Sequence, residues 1–403
     1  MILALVVLAA ICTLGLTIAF PRAACVLWIL LLETSPDSWL DNLIGAHEAI
    51  IGVMKAFGLV LVAVMALDFG VKRDRYNPSL AFVFMFIAGL MHGLYPGLTL
   101  LSSTRSLIGS AGPFLFSFVR MPAAFIQTIK RAAIWGPLFT TCFGGLLAMT
   151  GLDHMYVVEQ GALRLGASGE PPFLAGFALI GVYAGLMEYL RRPRFSEVLL
   201  LLVNLIIILL TGARAPLALA LLAGFSVLVI QRRLLLLAAS GAVASLVLIF
   251  LNAFTFLRVV DLTQLGEAAD LSNRNLVWPY FQQAFLTSPF LGWGVGAGKV
   301  IIPVASPLTA LIGTNAAHDE YLRIGAEGGL FGLLLLIALV FLWMKRNSAP
   351  LPREESWLMR LVFLGFALQS ATDNTLIATT SSVFFIWVSA VFATAREPTK
   401  PAA

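Results

Sequence analysis

Thirteen apolar runs, most of them long enough to cross a lipid bilayer, succeed one another along this 403-residue chain. They lie near 1–20, 23–33, 50–70, 78–95, 105–119, 134–151, 172–190, 196–211, 215–230, 234–251, 327–343, 358–372 and 378–395. Hydrocarbon has no water to satisfy backbone N–H and C=O groups, so such runs must fold as helices of roughly 20 residues. The second run is short and the fifth contains polar residues, so the pattern predicts about 12 spans, within a range of about 11–13. A chain that is 60% hydrophobic and 12% charged lacks the polar surface of a soluble protein. The expected fold class is an all-α polytopic membrane protein. It divides into N-terminal transmembrane helices (1–251), one long external loop with short helices of its own (252–326), and C-terminal transmembrane helices with a tail (327–403).

The charges orient these runs. Arg22, the Lys72–Arg75 turn, Arg120 to Arg131, Arg191 to Arg194, Arg232 and Arg233, and the basic residues from Lys345 onward hold 18 of the 26 Lys and Arg residues. Placing them on one side satisfies helix alternation and makes that side cytoplasmic. The net charge of +5 is scattered among short turns, which argues for membrane orientation and against nucleic-acid binding. Residues 1–20 have no basic n-region and are read as a first span, not a cleaved signal. Cys12, Cys25 and Cys142 sit in apolar surroundings and read as buried small hydrophobes. Four histidines without HxH or HExxH spacing offer no metal site.

Chemistry concentrates on the external side. Asn315–Ala–Ala–His–Asp–Glu–Tyr–Leu–Arg323 packs polar groups against the start of an apolar helix. A neutral imidazole such as His318 accepts a hydroxyl proton near neutral pH, and a carboxylate can orient it. The spacing puts His318 with Leu322, and Asp319 with Arg323, on common helix faces. Arg214 and Arg274 are external guanidinium groups, permanently charged and suited to bidentate contact with phosphate oxygens. Arg105 is a further external candidate. Arg323 either contacts phosphate or pairs with Asp319 or Glu327. Asp373 and Asn374 either line the same cavity or cap a helix. Asn273 to Leu286 reads as an interfacial amphipathic helix stopped by Pro289, followed by a glycine run (Gly292 to Gly298) that is mobile or tightly turned.

These motifs together resemble the O-antigen ligase and polymerase superfamily of bacterial envelope glycan enzymes. The resemblance rests on Thr211–Gly–Ala–Arg214, on Arg274–Asn–Leu–Val–Trp278 with Pro289–Phe–Leu–Gly–Trp–Gly294, and on His318–Asp–Glu–Tyr–Leu322 leading into Glu327–Gly–Gly–Leu–Phe–Gly332. The sequence departs from the family pattern in two places: Gly–Ala stands where Ser is frequent, and Asp follows the histidine where Asn is commoner. The resemblance implies a GT-C-like glycosyltransferase of the bacterial inner membrane, needing no metal or other cofactor, with its site facing the periplasm. The donor it implies is a glycan on undecaprenyl diphosphate. The acceptor is lipid A–core oligosaccharide for a ligase, or a second lipid-linked glycan for a polymerase. It implies catalytic roles for His318, Arg214 and Arg274, with Arg105, Asn273, Asp319, Tyr321 and Arg323 as substrate contacts. A lipid-linked glycan transporter is the alternative of a different class.

Overall fold

The computed structural model describes residues 13–159, 162–233, 235–242, 276–312, 314–377 and 379–394. Its helices are α1 (Pro21–Glu33), α2 (Pro36–Ile44), α3 (His47–Phe69), α4 (Ser79–His92), α5 (Leu100–Leu115), α6 (Ala123–Thr150), α7 (Pro171–Arg191), α8 (Phe195–Thr211) and α9 (Arg214–Ile230). After the undescribed stretch come α10 (Trp278–Thr287), α11 (Pro307–Ile312), α12 (Glu320–Ser348), α13 (Arg353–Ser370) and α14 (Thr379–Thr394). Residues 13–19 and 235–242 are also helical.

Four of the described helices are long and apolar enough to cross a membrane: Ala49–Phe69, Ala123–Thr150, Pro171–Arg191 and Glu320–Ser348. Four shorter apolar helices accompany them, Ser79–His92, Phe195–Thr211, Arg214–Ile230 and Thr379–Thr394. The chain is therefore predominantly helical and built as a polytopic membrane protein. Helix α7 is buried along most of its length, and α6, α8, α9 and α14 pack around it. Leucine, isoleucine and phenylalanine remain exposed on the outer faces of α3, α4, α8 and α12, where an apolar solvent would cover them.

Several sequence expectations are corrected. The all-α class omits an antiparallel hairpin, β1 (Tyr156–Glu159) paired with β2 (Ala162–Leu165) in the register Tyr156↔Leu165 and Val157↔Arg164. The aromatic and β-branched run Tyr156, Val157, Val158 gives that stretch its strand character. The external loop at 34–49 contains α2, whose Pro36 supplies a fixed φ at the first helical position. The run at 105–119 is helical only to Leu115, after which Phe116–Phe118 form a single 3-10 turn. Cys25 is buried, but Cys142 lies on the outer face of α6. Of the helix expected from Asn273 to Leu286, residues 273–275 lie outside the described residues; α10 runs from Trp278 to Thr287, just before Pro289.

Polar links define the two ends of the bundle. At one end the N–H of Lys72 donates to the carbonyl of Phe118 (2.7 Å), Lys130 pairs with Glu188 (3.3 Å) and Arg191 with Glu355 (2.6 Å). There too the Trp343 indole and the Ser117 hydroxyl both donate to Asp74, each at 2.7 Å. Basic turns that the charge pattern grouped on one side thus meet at one end. At the opposite end of α13, Ser370 leads into the 371–376 turn that reaches His318. Helix α9 runs antiparallel to α13: Arg233, just past α9, meets Tyr189 beside the Arg191–Glu355 pair at the start of α13, and further along a Cβ on Gly365 would stand 3.2 Å from Leu219. Arg214 precedes Leu219 by five residues and Ser370 follows Gly365 by five, so at 1.5 Å per residue they reach the same level. Arg214 and His318 share one end of the bundle.

Candidate active site

The site is built around a break in α12. Gly329 has φ 60° and ψ −166°, a conformation open to glycine and essentially closed to other residues. Such a break orphans backbone groups, and the segment Pro289–Gly294 satisfies them. The amides of Trp293 and Gly294 donate to the carbonyls of Ala326 (3.0 Å) and Glu327 (2.8 Å). In return the amides of Leu330 and Phe331 donate to the carbonyls of Pro289 (2.7 Å) and Phe290 (3.2 Å). The approach is so close that a Cβ on Gly329 would collide with the Phe290 carbonyl, and one on Gly292 with the Glu327 backbone. The glycine run after α10 is therefore a tight docked turn, with left-handed Gly292, Gly294 and Gly296. The Ser103 hydroxyl of α5 fixes it further by donating to the Val295 carbonyl at 2.7 Å.

A buried ion cluster locks this turn to the helix. Arg323 donates from Nε to Glu320 Oε2 (2.6 Å) and from Nη1 to Glu327 Oε2 (2.9 Å). The remaining carboxylate oxygens accept backbone amides: Glu320 Oε1 from Leu376 (2.8 Å) and Glu327 Oε1 from Gly298 (3.2 Å). All three side chains are buried. One guanidinium thus joins α12, the glycine turn and the 371–376 turn. Arg323 pairs with Glu327, as one sequence reading had it, and with Glu320, which that reading did not include; it does not pair with Asp319.

His318 stands outside the helix. The chain enters α12 through the Asp319 N-cap, whose Oδ1 accepts the Leu322 amide at 3.0 Å, so the expected shared face of His318 and Leu322 does not form. His318 has φ 49°, unusual for a residue with a side chain. Asn374 holds it there: Asn374 Oδ1 accepts the His318 backbone N–H at 3.0 Å, while Nδ2 lies 3.4 Å from His318 Nδ1. Asp373 Oδ1 is 3.8 Å from the same Nδ1. Both turn residues thus gather at the histidine. No hydrogen bond engages Nε2 among the described residues, and the side chain is 19% exposed. The described contacts of the ring thus fall on its Nδ1 edge. Tyr321 donates its hydroxyl to the Ala367 carbonyl at 2.8 Å, tying α12 to α13.

Arg214 opens α9 two residues after the left-handed Gly212 that ends α8, with Ala213 as the N-cap, and it is partly buried. Sequence reasoning missed its neighbour Arg164, which comes from β2, is buried, and donates from Nε to the Thr211 carbonyl at 2.7 Å. Nothing in the local pattern marks Arg164, since the link spans 47 residues. Arg105 is exposed on α5, two residues beyond Ser103. Arg274 and Asn273 lie outside the described residues.

A helix bundle of membrane type carries, at one end, a clamped histidine and an arginine at the same level. That defines a polytopic helical membrane protein with a candidate site at one end of its bundle. Residues 198–337, a stretch that holds Arg214 and His318, match the family model described as O-antigen ligase. Among curated proteins none matches the chain. The protein is a membrane enzyme of the O-antigen ligase and polymerase type.

Proposed function

We propose that this protein is an inner-membrane glycosyltransferase that moves a glycan from undecaprenyl diphosphate to a sugar hydroxyl at the periplasmic face. The observation that carries the reading is the His318 clamp: Asn374 and Asp373 lie at the Nδ1 edge of a partly exposed ring, at the end of the bundle that also carries Arg214. Nε2 takes the proton of the acceptor hydroxyl as its oxygen attacks the anomeric carbon. The bond from that carbon to the diphosphate oxygen breaks, and undecaprenyl diphosphate departs with the electron pair. Arg214, together with Arg274, stabilises the charge that develops on the leaving diphosphate. Asp373 stabilises the imidazolium once formed. Single displacement inverts the anomeric carbon, and no metal takes part in these steps.

The fold is read as GT-C-like with about 12 spans, its apolar interhelical grooves holding the polyprenyl tail. Arg105, Asn273, Asp319 and Tyr321 are assigned to saccharide or phosphate contact. The acceptor in this reading is lipid A–core, which makes the enzyme a ligase; the family match supports the ligase and polymerase type in general. The test incubates purified protein with polyprenyl-diphosphate glycan, with and without lipid A–core. Glycan on the core is expected. Lengthening of the lipid-linked glycan in the absence of core would overturn the ligase assignment in favour of a polymerase. Loss of donor turnover in folded His318→Ala and Arg214→Ala is expected; full turnover in either would remove that residue's role.

A further inference from the structure

A second polar site lies deep in the bundle, away from His318. Glu33 ends α1 and is 1% exposed, yet neither carboxylate oxygen has a hydrogen-bond partner among the described residues. Its carboxylate rests on Gly136 of α6, where a Cβ would collide with both oxygens. Gly136, Thr140 and Gly144 are spaced four residues apart and so share one face of α6. Gly144 at the far end of that strip touches the backbone of Ala167, and Gly169 meets the side chain of Ser35. The 33–35 turn and the 167–169 loop therefore close over the strip, with Thr140 between them. Thr140 Oγ1 and Ser168 Oγ are buried and also lack partners among the described residues.

The chemistry of this enclosure is specific. Its side-chain donors are all oxygens: one carboxylate and two hydroxyls. Pro137 has no N–H to give the Ala133 carbonyl one turn back, which frees a further oxygen on α6. Glu33 lies at the negative end of the α1 dipole, and the last turn of α1 has no basic residue. Of the two cations nearest along α6, Arg131 is exposed and Lys130 is committed to Glu188 at 3.3 Å. Gly136 is mid-way along α6, on the order of 20 Å from either end. Non-helical backbone at such depth occurs where it is packed in protein or lines a cavity, and a helix C-terminus with unwound carbonyls is a cation-coordinating arrangement.

We propose that Glu33, Thr140 and Ser168 form a buried site for a single alkali cation, Na+ or K+. One carboxylate balances one positive charge, whereas divalent sites of this kind gather more carboxylates. The site is independent of the transferase reading.

Thermal unfolding of the purified full chain in NaCl, KCl and choline chloride at equal ionic strength tests it. A ligand that binds only the folded state raises the midpoint in a saturable way. The wild type is expected to show a saturable rise in at least one alkali chloride over choline. Glu33→Gln should abolish that increment, and Thr140→Val should raise the apparent Kd about tenfold, the loss of one ligand-scale interaction. Equal midpoints in all three salts would overturn the proposal and leave a protonated carboxyl with water. So would an increment that survives in Glu33→Gln. Should Glu33→Gln fail to fold, an unaltered Kd in folded Thr140→Val and Ser168→Ala would overturn it equally.

Discussion

The backbone N–H of His318 donates to Oδ1 of Asn374 across 56 residues of sequence, at 3.0 Å. This one bond holds a histidine in a left-handed conformation and aims its ring. Without it, His318 has no local reason to stay there, since φ 49° is disfavoured for a side-chain-bearing residue.

Asn374→Ala should therefore lower kcat about 100-fold, the scale of a misplaced catalytic group, while the protein stays folded. Asn374→Asp keeps the acceptor oxygen and should retain more turnover. Donor turnover with size-exclusion profiles measures both. Wild-type kcat in Asn374→Ala would show that the clamp is dispensable.

Arg323 is bound on two sides by buried carboxylates. Removing it as Arg323→Met leaves Glu320 and Glu327 uncompensated, at a cost of about 3–5 kcal/mol. The expected signature is a large fall in the thermal midpoint. A substrate contact would behave differently: an unchanged midpoint with a raised donor KM would return Arg323 to the binding role that the resemblance implies.

Gly329→Ala forces a side chain into a glycine-only conformation and against the Phe290 carbonyl. Strain alone costs about 1–3 kcal/mol. Gly224 on α9 is the control, because a Cβ there meets nothing within 4 Å. Gly224→Ala should be neutral or stabilise by about 0.5–1 kcal/mol. Denaturation of both variants side by side checks the contrast.

Arg164 grips the carbonyl of Thr211, three residues before Arg214. Arg164→Met should reduce turnover about tenfold by loosening the α8–α9 turn, with donor KM rising. Turnover equal to wild type would mean that Arg164 only packs the hairpin.

The sequence by itself determined the helical membrane class, because apolar periodicity is dictated by the solvent the chain must meet. It also marked His318 and Arg214, since polar clusters next to apolar runs are conspicuous. The stop at Pro289 and a short helix before it were legible for the same local reasons. Tertiary structure alone decided the rest. The hairpin at 156–165 depends on its packing at the α8 end, and the glycines of the 327–332 motif matter because a distant segment hydrogen-bonds into the helix break. Arg323 became a buried lock because the two carboxylates it pairs with on its own helix also accept amides from the glycine turn and the 371–376 turn. Asn374 reached His318, and Glu33 came to rest on Gly136, through contacts between residues far apart in the chain. Local pattern reports how a residue meets its solvent; which residue it meets is fixed only when the helices pack.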